Sequence, residues 1–167
     1  MNKITMTALS IGIIGVGNPL RKDDGIGIVL LHHMKNAAKL NPDSLSFIDG
    51  GTGGMNVLHV CNKFDVIVFL DAVDFKANPG ETRFFSIDNI KSNKQVSSVS
   101  THHEDLFQII RIGQKIGECP NKVFVFGVQP ADIGFGEGLT EQINGKIEDI
   151  ILSMKKYILK VIEEYNN

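Results

Sequence analysis

Val66-Ile67-Val68-Phe69-Leu70, five apolar residues in succession between Asp65 and Asp71, constrains this chain more than any other segment. A strand that is apolar on both of its faces has to be covered on both, which is the situation of a central strand in a parallel sheet. The flanking sequence supplies the cover. Ile11 to Val16 reads as a second buried strand, closed by Gly15, Gly17, Asn18 and Pro19. From Asp23 onward Ile26, Val29, Leu30, His33, Met34 and Ala37 follow helical spacing, with Asp23 and Asp24 placed where side-chain oxygens would cap the first amides. Leu45 to Ile48 is a further strand, ended by Asp49-Gly50-Gly51-Thr52-Gly53-Gly54, and Met55 to Asn62 a short helix.

The second half repeats the alternation. After the Asn78-Pro79-Gly80 turn, Thr82 to Ile87 reads as a strand near a sheet edge, and Asp88 to Ser98 as a loop. Thr101-His102-His103-Glu104 has the form of a capping box before a helix carrying Leu106, Ile109, Ile110, Gly113 and Ile116. Val123 to Val128 is the last strand. Thr140 then caps a final helix, striped by Ile143, Ile147, Ile150, Ile151, Met154, Ile158 and Ile162. Such alternation with short connections predicts an α/β fold: a three-layer αβα sandwich around a mostly parallel twisted sheet of about five strands, in one domain over residues 1–167.

Composition removes several classes of function. Lys and Arg number 17 against 19 Asp and Glu, a net charge of −2 with no basic stripe, so nucleic acid is excluded as a partner. Cys61 and Cys119 lack CxxC spacing, which argues against a disulfide framework or a thiolate zinc site and for a reducing cytoplasm. The longest uncharged run, Ile4 to Leu20, is interrupted by glycines and polar residues and is too short to span a bilayer. No cleavage site for a signal peptide follows it.

In open α/β sheets ligands bind beyond the carboxyl ends of the strands, which directs attention to the loops after Val16, Ile48, Ala72 and Val128. Gly15-Val16-Gly17 suggests a dinucleotide site, but the third glycine of the fingerprint would fall at Leu20. Asp23 and Asp24 would also repel a pyrophosphate at the helix start. Helix capping accounts for one of these aspartates and less well for two. Asp71 ends the most buried strand, where a carboxylate must meet a metal, a cation or hydrogen-bond donors. Asp49 fits ordinary turn chemistry.

His102 and His103 open a helix, where the dipole disfavours imidazolium and leaves a neutral ring able to ligate a metal or accept a proton. His32, His33 and His59 lie within helical patterns as packing or surface residues. No GxSxG elbow, HExxH helix or Cys–His pairing is present. Asp24, Asp71 and His102 remain: two carboxylates and an imidazole, suited to a borderline divalent ion such as nickel or zinc with coordination positions left open.

The segment from Gly15 to Gly27, Gly-Val-Gly-Asn-Pro-Leu-Arg-Lys-Asp-Asp-Gly-Ile-Gly, resembles the opening signature of the [NiFe]-hydrogenase maturation endopeptidases. Asp49-Gly50-Gly51-Thr52 resembles that family's second glycine loop and Phe69-Leu70-Asp71-Ala72 its central strand end. Ser100-Thr101-His102 with Leu106 resembles its histidine segment, and Gly127-Val128-Gln129-Pro130 its last strand end. The resemblance implies a cytoplasmic, monomeric, aspartic-type peptidase that removes the C-terminal extension of a hydrogenase large-subunit precursor once nickel has been inserted. By the same resemblance Asp24, Asp71 and His102 form the metal-binding constellation, with Asp24 and Asp71 catalytic, and Gly50, Gly51 and Thr52 contact the substrate. The nickel is the ion carried by the precursor. Many relatives have the longer glutamate at the position of Asp24, and Asp23 and His103 are the neighbours most readily exchanged for the assigned residues. A nickel-binding chaperone would use the same ligands without cutting; a nucleotide-dependent oxidoreductase is disfavoured by the failed glycine fingerprint.

Overall fold

The computed structural model of the chain describes residues 9–36, 45–91 and 101–165. Five strands, β1 (Ile11–Gly15), β2 (Leu45–Asp49), β3 (Val66–Ala72), β4 (Thr82–Ser86) and β5 (Lys122–Val128), form one sheet in the order β2-β1-β3-β5-β4. The first four neighbours are parallel, and β4 alone runs antiparallel, against β5 at the edge. The long apolar run is the middle strand, and every residue of β3 is buried.

Among the described residues five helices cover the sheet: α1 (Ile26–Asn36), α2 (Leu58–Cys61), α3 (Thr101–Lys115), α4 (Glu141–Asn144) and α5 (Ile147–Tyr165). Alternation along the strands sends Ile11, Ile13, Val68, Leu70 and Phe126 to one face, where Leu30 and Met34 of α1 and Ile150, Met154 and Ile158 of α5 pack on them. Ile14, Ile67, Phe69, Val123 and Val125 go to the other face, under Leu58 of α2 and Leu106 and Ile110 of α3. Among the described residues no helix is long and apolar enough to cross a membrane.

Three expectations need correction. Asp23 and Asp24 do not cap α1; they lie in a 3₁₀ turn, Lys22–Gly25, that precedes it and has no side-chain cap. The apolar face of α1 uses Leu31 where the spacing pointed to His33, which is exposed. The final helix is two. Thr140 caps α4, its Oγ1 accepting the Ile143 amide at 3.4 Å, but the chain breaks at Gly145, a weak helix former. There the Lys146 amide donates to the Ile143 carbonyl, a three-residue step that ends α4. Shorter adjustments occur elsewhere: Met55–Val57 is a 3₁₀ turn leading into α2, and Ile87–Lys91 is a 3₁₀ turn at the start of the segment read as a loop. Ala37 and residues 92–100 lie outside the described residues, as do the side chains of the Thr101–Glu104 capping box.

α1 approaches the sheet closely because of Gly27. A Cβ there would stand 2.1 Å from the Leu70 carbonyl oxygen and 2.2 Å from that of Val16. The close helix-to-strand contact that the dinucleotide fingerprint assigns to its third glycine is thus supplied seven residues later than Leu20, along the helix.

Candidate active site

The strand order reverses direction at β1: α1 carries the chain outward to β2, and the next crossover returns it to β3 on the other side. Such a switch point leaves a crevice at the carboxyl ends of the two central strands. A cleft of about 120 Å³ lies there, lined by Val16, Gly17, Asn18, Arg21, Asp24, Thr52, Asp71 and Leu106. The structure therefore brings Asp71 at the end of β3 together with Asp24 and Thr52 from loops, 47 and 19 residues away in sequence (71 − 24 and 71 − 52).

Each acid is delivered by a distinct local device. Asp71 is the sixth residue of β3, on the face that Ile67 and Phe69 turn toward α3, and is 2% exposed. Asp24 is 8% exposed, and its Oδ2 accepts the Asn18 amide at 3.1 Å. The turn closes over Asp24 only because residue 17 is glycine: its φ is +136°, and a Cβ would fall 1.9 Å from the Asp24 carbonyl oxygen. The Gly17 amide in turn donates to the Gly51 carbonyl at 2.8 Å, and the Gly50 amide to that of Gly15 at 2.8 Å, joining the two glycine loops.

Gly50 packs on Val16 and Ile14, whereas Gly51 and Thr52 are exposed, and of these three only Thr52 lines the cleft. Asp49 Oδ1 accepts the Gly51 amide at 2.8 Å, the turn chemistry expected of it. Thr52 also begins a shallower groove of about 370 Å³, bounded by Gly53, Gly54, Met55, Gln108, Ile109 and Ile112. Met55 and Ile112 are more than half exposed there.

Asp23 faces away from this cleft and is fully buried. Its Oδ1 accepts the Thr140 amide at 2.8 Å, and its Oδ2 accepts the Ala131 and Asp132 amides and the Thr140 hydroxyl at 2.9, 3.0 and 2.9 Å. Four donors replace the water that a buried carboxylate gives up. The adjacent aspartates thus have opposite surroundings: Asp23 ties the first loop to the segment after β5, and Asp24 has one side-chain partner and borders open space.

Position 102 falls in the first turn of α3, one helical turn before the cleft-lining Leu106. The side chains of His102 and His103 lie outside the described residues. Among the described residues no group of three or more His, Cys, Asp or Glu side chains forms a complete metal cage. His32, His33 and His59 are exposed on α1 and α2.

Two residues were missed in the sequence. Arg21 is the cation of the cleft lining; its Nε donates to the Ile133 carbonyl at 3.1 Å, and its guanidinium lies 5.9 Å from the ring centre of Phe135, itself 90% exposed. The signal available was the basic pair Arg21-Lys22 just before two acids in a strand-end loop. Buried Gln129 takes the Phe75 amide on Oε1 at 2.6 Å and donates from Nε2 to Asp74 at 3.2 Å, fixing the loop that follows Asp71.

A model of the hydrogenase maturation protease family matches residues 28–156, which includes the whole of β3 and α3. The chain belongs to the hydrogenase maturation protease family. The match begins beyond Asp23 and Asp24, so the contrast between those two rests on their geometry. Among curated relatives of the family, the hydrogenase 2 maturation protease of Escherichia coli is 29% identical over 136 residues, 81% of this chain and 82% of the relative. The hydrogenase expression/formation protein HupD of Rhodobacter capsulatus is 28% identical over 137 residues; the match takes in 81% of this chain and 65% of that protein's length. The structure of the hydrogenase maturating endopeptidase HybD from E. coli superposes with a TM-score of 0.75 at 26% identity, covering 93% of both chains. The mostly parallel five-stranded sheet is that of this family.

Proposed function

We propose that this chain is the endopeptidase that removes the C-terminal extension of a [NiFe]-hydrogenase large-subunit precursor after nickel has been inserted. The observation that carries this reading is the pair Asp24 and Asp71: two carboxylates, both more than nine-tenths buried, on the lining of one cleft at the switch point of the sheet. Family membership and the likeness to HybD give it independent support.

Two carboxylates on the lining of one small cleft offer oxygen ligands to a divalent cation. A divalent cation arriving with the substrate meets two negative charges there, so the site favours the nickel-loaded precursor over the empty one. The ion belongs to the substrate. The chemistry a bound divalent ion supplies is polarisation of the peptide carbonyl and acidification of a water. Asp24 and Asp71 hold the loaded end of the precursor in place, with His102 as the third ligand. Whichever carboxylate oxygen is not engaged with the cation accepts the proton of the attacking water. The aspartic-type class rests on this pair.

Arg21, with Nε already used, presents its remaining N–H groups at the cleft and orients a carbonyl of the bound chain. The groove that begins at Thr52 gives an extended peptide an apolar track beside the acids, with Gly51 immediately before it in the chain. In this reading the enzyme is a monomer acting in the cytoplasm.

Intact-mass analysis of the precursor tests the reading. Nickel-loaded and nickel-free forms are incubated with the protein and with its Asp24→Asn and Asp71→Asn variants. Loss of a C-terminal peptide from the loaded form alone, abolished in both variants, is the expected result. A precursor mass that never falls, together with nickel retention by this chain, would instead identify a nickel chaperone.

A further inference from the structure

The two cysteines, distant in sequence, meet at the end of the molecule opposite the cleft. Cys61 closes α2 and is fully buried; Cys119 sits in the turn between α3 and β5 and is 7% exposed. Both belong to the hydrophobic cluster on the α2/α3 face. Their neighbours are joined, Asn62 Nδ2 donating to Glu118 Oε2 at 3.1 Å. The Glu118 and Cys119 amides both donate to the Gly113 carbonyl, at 2.7 and 3.2 Å. Gly113 leaves room for the sulfur, since a Cβ there would lie 2.7 Å from Cys119 Sγ. The two thiols interact, which holds Cys119 below the ordinary thiol range and, together with burial, pushes Cys61 above it.

We infer that Cys61 and Cys119 form a dithiol site that closes reversibly to an intramolecular disulfide by exchange with a small-molecule disulfide such as oxidised glutathione. Cys119 is the attacking group because it is the less buried of the two and its thiol is the one held below the ordinary range. Its sulfur attacks one sulfur of oxidised glutathione, forming a mixed disulfide and releasing one glutathione thiolate. Cys61 then loses its proton, attacks the Cys119 sulfur and expels the second glutathione thiolate. The protein gives up two electrons, the glutathione disulfide takes them, and the two thiol protons end on two molecules of glutathione. The site is independent of the reading of the cleft.

The full-length native protein is incubated with oxidised glutathione, acid-quenched, alkylated with N-ethylmaleimide and weighed intact. The expected product has lost two hydrogens, carries no maleimide, yields a Cys61–Cys119 linked peptide on non-reducing digestion and returns to the starting mass with dithiothreitol. Cys61→Ser should stop at the mixed disulfide and gain one glutathionyl group on Cys119. A native protein whose thiols react only after unfolding, or one that accumulates the glutathione adduct without closing the ring, would overturn the inference, and the wild-type chain alone decides between these outcomes.

Discussion

At the scale of single residues, the neighbours Asp23 and Asp24 separate structure from chemistry. Asp23 has four donors and no exposure, so Asp23→Ala leaves buried amides and a hydroxyl unpaired. It should lower unfolding free energy by about 3 kcal/mol, seen as a shift in the urea midpoint. Asp24→Asn and Asp71→Asn each remove a buried charge with little change of shape. They should leave the urea midpoint unchanged or raised while reducing precursor cleavage by at least roughly 100-fold, as expected for loss of an acid–base or ligand group. Arg21→Met should raise KM for the precursor by roughly tenfold or more, the worth of one charge-assisted hydrogen bond, with a smaller effect on kcat. Asp71 was legible in the sequence because it stands at a strand end where a carboxylate needs a reason, and Asp24 because helix capping accounts for one of two adjacent aspartates but less well for both. The partners of Asp23 were not, because they lie 108 to 117 positions away, beyond the reach of any local pattern.

Among the elements, the decisive contact is that of α1 with β1 and β3. Gly27 puts helix backbone against the Val16 and Leu70 carbonyls, so Gly27→Ala must push α1 off the sheet. A loss of about 3 kcal/mol is expected from such overpacking, measured by thermal unfolding, together with lower cleavage because the Asp24 turn is anchored to the same helix. Strands were readable to within a residue or so because burial on both faces leaves long apolar runs: the run from Val66 to Leu70 is the body of β3, which spans Val66–Ala72. The α4–α5 break was missed for the opposite reason. The isoleucine spacing runs through Gly145 without interruption, and what stops the helix is a backbone bond from Lys146 to Ile143 that the side-chain pattern does not record. The capping reading of the two aspartates failed in the same way, since a 3₁₀ turn intervenes before α1.

For the molecule as a whole, acid sensitivity follows from the carboxylates that brace the loops around the cleft. The Lys22 ammonium, which hydrogen-bonds Asp132, holds that carboxyl below the usual range. Burial pushes Asp74 upward, but hydrogen bonds from Lys76 and Gln129 outweigh it and leave Asp74 lowered as well. Both groups bind protons more weakly in the folded than in the unfolded chain. Their contribution is therefore fully present above the unfolded carboxylate value near pH ~4 and is lost as the pH falls through the folded values. The urea midpoint should stay level from neutral pH down to about pH 5 and then drop below about pH 4; Lys22→Met should make that drop shallower. A midpoint insensitive to acid would show that these loops do not contribute to global stability.

The long span between Asp23 and its donors also orders events during synthesis. β1 and both aspartates leave the ribosome early, whereas Ala131, Asp132 and Thr140 are among the last parts of the described chain to be made. Until then the inner acid of the 3₁₀ turn lacks its four donors. Contacts of such large sequence separation form late in folding, so the turn that carries Asp24 is fixed only once the segment after β5 has docked on Asp23.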